Sequence, residues 1–462
     1  MSAASDLVIV SNRLPVHRVE RHGRKVWETS PGGLVSALKP VLRKHRSTWL
    51  GWAGAVDTTP PPFEHDGVFN RALSLSAAEI DHYYEGFCNR TLWPLFHDGI
   101  RTPAFHRRWW RSYVDVNTRF AEATASVVAE GGVVWIHDYH LMLLPQMLRD
   151  RRPDIRIGFF LHIPFPPPEL FVQLPWRERL IEGVMGADVI GFQTDRGARN
   201  FRRLVKRFTG ASGAGAKLQL GGRTVIAREF PISIDFKRFD ELAGSQSVRD
   251  RAAQLRAKIG SRRRVILGVD RLDYTKGIDI RIKAFGELLR TGRVTAEDTL
   301  FVQVAVPSRE RVEEYRTLRS NVENLVGSIN GEFGELGRMP LQYMHRSMPI
   351  SELVAFYRLA DVMVVTPIRD GMNLVAKEYV ACRTEETGAL ILSEFTGSAN
   401  ELTQALLVNP HDVDGLMRTM ETALHLSSAE QKRRIHAMRR QVKRHDVYRW
   451  ADAFFAALHG DA

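Results

Sequence analysis

Charged side chains stand directly behind short apolar runs at several points of this sequence, and their types suit the handling of a phosphorylated ligand. Arg271 and Lys276 lie in Val269-Asp-Arg-Leu-Asp-Tyr-Thr-Lys-Gly277, behind the run Val265 to Val269. Two fixed cations of this kind can neutralise a diphosphate leaving group. Arg309 follows the run Leu300 to Val306, and Ile368-Arg-Asp-Gly-Met-Asn373 follows Val362 to Val365. The helix expected to open near Asn373 turns its unpaired N–H groups and positive dipole end toward the same place, where an anion is favoured. Gly371 lets backbone approach a ligand, while Asp370 and Glu378 can accept hydrogen bonds from paired hydroxyls. Taken alone, this stretch reads as a capping acid and an exposed Lys-Glu pair, Lys377 with Glu378. Three basic loops behind three strands converge on one place if the sheet is parallel, which favours the functional reading.

The first half of the chain repeats the arrangement with other chemistry. Arg13 ends the run beginning at Leu7, Ser30-Pro-Gly-Gly-Leu34 offers Gly32 and Gly33 for close backbone approach to an anion, and Asp138 and His162 stand at the ends of two further runs. His137 and His140 have no third ligand at a recognisable spacing, so they read as hydrogen-bonded histidines rather than a metal site. The acidic pair Asp412 and Asp414 reads as a helix cap, and no metal is expected to serve the diphosphate. Tyr83-Tyr-Glu-Gly-Phe-Cys-Asn-Arg-Thr-Leu-Trp93 supplies aromatic faces of the kind that orient a sugar ring, with Phe87 assigned to the core.

The elements that must position these residues follow from the spacing. Short β-branched runs at 7–10, 133–136, 155–161, 189–192, 265–269, 300–306, 362–365 and 390–392 alternate with helical patterns, which predicts an α/β fold of two doubly wound, Rossmann-like parallel-sheet domains facing across a cleft. The expected domains are 1–232 and 233–446, divided at the extended, Pro-bearing segment Phe230-Pro-Ile-Ser-Ile-Asp235. Loops at the carboxyl ends of such strands are where ligands bind. Ser212-Gly-Ala-Gly-Ala-Lys217 lacks the P-loop pattern and reads as a turn.

At 462 residues, 44% hydrophobic and 26% charged, the chain is long enough for two cores and close to average but for its net charge of +12. That charge suits anionic partners, and small phosphorylated ligands fit the basic loops better than nucleic acid does. The densest basic run, 431–444, has helical spacing and reads as a solvated face. The two cysteines, Cys88 and Cys382, suggest a reducing compartment, and with neither a signal peptide nor a membrane span in the pattern, the expectation is a soluble cytoplasmic protein.

The fragments SNR, SPGGL, YYEGFCNRTLWPLFH, WIHDYHL, GFFLHIPFP, DRLDYTKG, PSRERV and RDGMNLVAKEYV, in this order, resemble the trehalose-6-phosphate synthase family from about Leu7 to the last helix. The resemblance implies a retaining glycosyltransferase of the two-Rossmann-domain type called GT-B. Such an enzyme moves glucose from a nucleotide donor, usually UDP-glucose, to glucose 6-phosphate. It further implies that 447–462 forms a helix crossing back to the first domain. Carried over by position, it makes Arg13 and Arg309 binders of the acceptor phosphate, Tyr84 and Trp93 walls of the acceptor pocket, and Asp138 a contact of the acceptor glucose near the reacting centre. Gly32 and Gly33 then touch the donor and His162 contacts the donor sugar. Arg271 and Lys276 clamp the diphosphate, Asp370 with the amides of Gly371, Met372 and Asn373 holds the donor sugar, and Leu374, Val375, Ala376, Lys377 and Glu378 hold donor phosphate and ribose. Met348 stands where some relatives place a Phe whose backbone meets the base.

With no carboxylate placed as a nucleophile, the expected chemistry is a front-face substitution in which Asp138 and His162 position the sugars. The expected partners are UDP-glucose, or its ADP or GDP counterpart, and glucose 6-phosphate, in a homo-oligomer without cofactor, nucleic acid or membrane. Rival readings are a glycerol 3-phosphate acceptor, against which the Tyr84 and Trp93 rings argue, a catalytically silent sensor, and a nucleic-acid binder. Closure of the two lobes on binding, with the Gly32-Gly33 loop and Pro231 as moving parts, is a further expectation.

Overall fold

The computed structural model describes residues 4–21, 24–29, 35, 38 and 47–460. Gly32 and Gly33 lie outside the described residues. The chain forms two compact units, Met1–Ile232 with Val447–Ala462, and Ser233–Asp446.

The first unit is built on a nine-stranded sheet. Its strands are β1 (Ser5–Arg13), β4 (Ser47–Val56), β5 (Phe63–His65), β6 (Val68–Leu75), β7 (Val128–His137), β8 (Arg156–Phe160), β9 (Val189–Phe192), β10 (Lys217–Leu220) and β11 (Arg223–Glu229), and β2 (Val16–Arg21) pairs apart with β3 (Arg24–Thr29). The sheet order is β10-β11-β9-β8-β7-β1-β4-β6-β5, parallel throughout except at its two outermost pairs. Leu7, Val8, Ile9 and Val10 of β1 are all buried, as are Val134, Trp135 and Ile136 of β7, because a parallel strand is covered on both faces. The order reverses between β1 and β7, so Arg13 and His137 end neighbouring strands at the point where a parallel sheet opens for a ligand.

The C-terminal helix Val447–His459 belongs to this unit. It buries Val447, Trp450, Phe454 and Leu458 at helical spacing, and Phe454 stacks on Trp135 with centroids 4.5 Å apart. Trp450 donates its indole N–H to the Phe230 carbonyl at 3.1 Å. Gly158 is required beneath it: a Cβ there would lie 2.6 Å from Phe454 Cε1.

The second unit holds six strands, β12 (Arg264–Arg271), β13 (Thr299–Val306), β14 (Leu341–Met344), β15 (Val362–Val365), β16 (Ala389–Ser393) and β17 (Leu406–Val408), all parallel in the order β14-β13-β12-β15-β16-β17. Here the order reverses between β12 and β15. The loops after these two strands carry Arg271 with Lys276 and Asp370 with Gly371. Val265, Leu267, Val302, Val304, Met363, Val365, Leu390 and Leu392 fill the core of the unit.

All eight strands expected from the sequence form. The others escaped for different reasons: β4 interrupts its apolar run with two Gly and two Trp, β5, β10, β14 and β17 are short strands at the sheet edges, and β2, β3, β6 and β11 mix polar and charged residues into the run. The basic segment 431–444 is helical within Ser428–Arg444, but it is not a purely solvated face: Ile435, Met438 and Val442 are buried, and Arg439 reaches Asp240 at 2.5 Å. Among the described residues no helix is long and apolar enough to cross a membrane.

Candidate active site

In the second unit the site grows out of the strand reversal. β12 ends at Arg271, and Asp273 then caps a short turn, Tyr274–Lys276, by accepting the Thr275 N–H at 3.0 Å and its hydroxyl at 2.9 Å. Gly277 closes the turn at φ +61°, and a Cβ there would meet the Thr366 carbonyl at 2.4 Å. The backbone of Ile368 donates to the Thr275 carbonyl at 2.8 Å, which fixes the loop after β15 to the turn after β12. Across that seam Lys276 Nζ lies 2.6 Å from Asp370 Oδ2, and Asn373 donates to the same oxygen at 3.1 Å.

The wholly buried Arg281 braces this arrangement from below. Its guanidinium meets Asp270 at 2.7 Å, the Val364 carbonyl at 2.9 Å and the Lys276 carbonyl at 2.6 Å, linking β12, β15 and the turn. Asp273 is also buried, and besides the turn it holds Arg309 at 3.3 Å and accepts the Tyr315 hydroxyl at 3.0 Å. Burial pushes its carboxyl up, but Arg309, Arg271 and Lys276 together pull it further down, to about 2.

The helix Leu374–Cys382 starts at this loop, capped by the Asn373 side chain on the Ala376 N–H at 3.1 Å, with Asn373 itself at φ +79°. Gly371 packs so tightly that a Cβ on Gly397 would lie 2.1 Å from its carbonyl oxygen. Within the helix Glu378 accepts the Tyr357 hydroxyl at 2.9 Å, and burial raises its pKa. The exposed Lys-Glu pair that the stretch suggests when taken alone is not present. Lys377 is fully buried and paired with Glu401 at 2.7 Å. Met348 is half-buried and packs on the core of the unit.

In the first unit Arg13 is exposed at the end of β1, its guanidinium 4.6 Å from the Trp52 ring centroid and 5.7 Å from that of Tyr84. Tyr84 lies in a π-helical stretch, Ile80–Leu92, and stacks on His140 at 5.9 Å. The same stretch turns Tyr83 inward, where its hydroxyl donates to Asn12 at 2.9 Å. Trp93 is buried, 5.7 Å from the Tyr139 ring. Asp138 has a left-handed backbone, φ +77°, and its Oδ1 accepts the His162 N–H at 3.1 Å. His137 Nδ1 and His162 Nε2 are 3.0 Å apart. Burial lowers both rings, His162 to about 3 and His137 well below its ordinary value, with the His162 charge adding to the effect on His137. Both rings are neutral at pH 7, and one donates to the other.

Two sets of residues are thus gathered at strand ends. Arg271, Lys276, Asp370, Gly371–Asn373 and the helix start form one, with Glu378 a turn further on. Arg13, Trp52 and Tyr84 form the other, with Asp138 and His162 at a neighbouring strand end. Among the described residues no group of three or more His, Cys, Asp and Glu is arranged to hold a metal ion. Trp52, Asp273, Tyr315 and Tyr357 were not singled out from the sequence. Asp273 sat inside a quoted motif, and Trp52 lay on β4, one of the strands that the sequence did not reveal.

A family model, glycosyltransferase family 20, matches residues 5–460. The chain is 54% identical to a trehalose-6-phosphate synthase of Mycolicibacterium smegmatis over 469 residues, covering 99% of this chain and 93% of that one. It is similar in structure to an α,α-trehalose-phosphate synthase (UDP-forming) from Burkholderia xenovorans in complex with glucose-6-phosphate, with a TM-score of 0.90, 35% identity and coverage of 98% and 99% of the two chains. An E. coli structure bound with UDP-2-fluoro glucose matches with a TM-score of 0.90, 35% identity and 98% of each chain covered.

Proposed function

The chain belongs to glycosyltransferase family 20, and on that premise we propose that it transfers glucose from UDP-glucose to glucose 6-phosphate, releasing UDP and forming trehalose 6-phosphate. The observation that carries this reading is the seam between β12 and β15, where Arg271, Lys276 and the start of a helix meet at the carboxyl ends of parallel strands. A leaving diphosphate gains charge as the glycosidic bond breaks, and groups fixed in advance stabilise that charge without reorganising. Glu378, held by Tyr357, is suited to accept ribose hydroxyls, and Asp370 with the Gly371–Asn373 backbone to meet the donor sugar. Arg13 takes the acceptor phosphate, with Tyr84 and Trp93 shaping the hexose pocket.

Retention follows from a front-face substitution. The anomeric C–O bond to phosphate breaks, the acceptor hydroxyl oxygen bonds to the same face of that carbon, and its proton passes to the departing phosphate oxygen. The neutral His162 and the anchored Asp138 orient the sugars. Asp138 accepts the His162 amide and Asp370 holds Lys276 and Asn373, which supports positioning roles for both carboxylates. A glucosyl ester trapped on either would overturn this step.

Incubating the purified protein with UDP-, ADP- and GDP-glucose against glucose 6-phosphate and glycerol 3-phosphate tests substrate choice. Release of UDP that depends on glucose 6-phosphate supports the reading, and turnover only with glycerol 3-phosphate defeats it. The same proposal gives the diphosphate charge to protein cations, so turnover continues in EDTA. Cytoplasmic action, supported by two buried free cysteines, and assembly as a homo-oligomer complete it, the first checked by fractionation and the second by light scattering.

A further inference from the structure

Asp273 has no exposed surface and cannot touch a substrate, yet each of its oxygens serves a different part of the site. Oδ1 accepts the backbone N–H and the hydroxyl of Thr275, and so sets the turn that presents Lys276. Oδ2 accepts from Tyr315 at 3.0 Å and from Arg309 Nη1 at 3.3 Å, and Arg309 is also hydrogen-bonded to the Tyr315 hydroxyl. Four donors saturate the lone pairs of one carboxylate. Arg309 follows β13 with a left-handed backbone, φ +47°, and a side chain only 6% exposed. A non-glycine residue persists there because its surroundings hold it. A guanidinium is a rigid fork, so fixing one nitrogen fixes the direction of the rest.

We propose that Asp273 is a positioning residue shared by the two substrates, with one oxygen setting the lysine of the donor clamp and the other aiming the arginine of the acceptor phosphate. It rests on the reading that Lys276 meets the donor diphosphate and Arg309 the acceptor phosphate. Through Asp273 the two roles have a common support: the loops after β12 and β13 cannot rearrange separately without breaking its hydrogen bonds.

Three variants divide the carboxylate's work. Asp273→Asn keeps the shape and removes the charge, Thr275→Ala removes one donor on the Oδ1 side, and Tyr315→Phe removes one on the Oδ2 side. Titration calorimetry with UDP, and with glucose 6-phosphate in the presence of saturating UDP, reads each side without turnover. Asp273→Asn is expected to weaken both ligands about tenfold, the loss of a single charge-assisted hydrogen bond. Thr275→Ala should weaken UDP alone and Tyr315→Phe glucose 6-phosphate alone, with kcat at saturation changed less than the KM of the affected substrate. Should Asp273→Asn fail to fold by circular dichroism, the other two variants carry the same test. A folded Asp273→Asn that weakens only one ligand, or Thr275→Ala and Tyr315→Phe with indistinguishable profiles, overturns the shared role. If the parent protein binds neither UDP nor glucose 6-phosphate, it is the functional reading that falls.

Discussion

Lys276 and Asp370, ninety-four residues apart in sequence, form an ion pair of 2.6 Å that joins the loops after β12 and β15. The pair holds the ammonium where the donor diphosphate is proposed to sit, and a compact ammonium fills the short gap to the carboxylate. Lys276→Ala should lower kcat about 10²- to 10³-fold, the usual effect of losing one group that stabilises developing charge. Lys276→Arg should not restore it, because a planar guanidinium does not fit the same contact. Acceptor-dependent UDP release measures both.

Arg13 stands over Trp52 and Tyr84 and is proposed to hold the acceptor phosphate. Arg13→Ala should raise KM for glucose 6-phosphate at least about tenfold and leave that for UDP-glucose nearly unchanged. Trp52→Ala should act in the same direction by about 0.5–2 kcal/mol, the range of a cation–π contact. Equal effects on both substrates would contradict this assignment.

The neutral His137–His162 pair gives the first unit an acid sensitivity. Both folded pKa values lie below the ordinary 6.5, so the unfolded chain binds more protons below that pH and the folded state binds them late. Stability contributed by the pair is present above pH 6.5 and is lost as pH falls toward about 3, the value for His162. His162→Gln should flatten the decline in thermal midpoint between pH 7 and pH 4.5. Parallel melting curves for parent and variant would show that the pair contributes nothing.

Phe454 fills the space above Gly158 and against Trp135. Phe454→Ala should cost about 3–5 kcal/mol, as truncation of a buried aromatic does. Gly158→Ala should also destabilise, because its methyl would overlap the Phe454 ring and overpacking typically costs about 1–3 kcal/mol. Urea unfolding of the full chain reads both, and a Phe454→Ala midpoint equal to the parent's would refute the packing argument.

The parallel core was legible because strands covered on both faces are written as unbroken apolar runs, Val362-Met-Val-Val365 among them. The loops carrying Arg271, Lys276 and Asp370 were legible for the same reason, since they begin where such a run stops. Edge strands such as β14 and β17 were not, because a short, half-covered strand has no such signature. Trp52 beneath Arg13 was missed with β4, and the burial of Lys377 against Glu401 was not legible because that partner lies in a separate segment of the chain.

The sequence by itself determined which residues leave the strands and with what charge, because strand period and loop chemistry are local properties of the chain. Which of those charges remain available to a substrate was decided only by tertiary structure. Partners such as Asp273 with Arg309, or Lys377 with Glu401, come from distant segments, and a buried charge must find its partner wherever the fold brings one within reach.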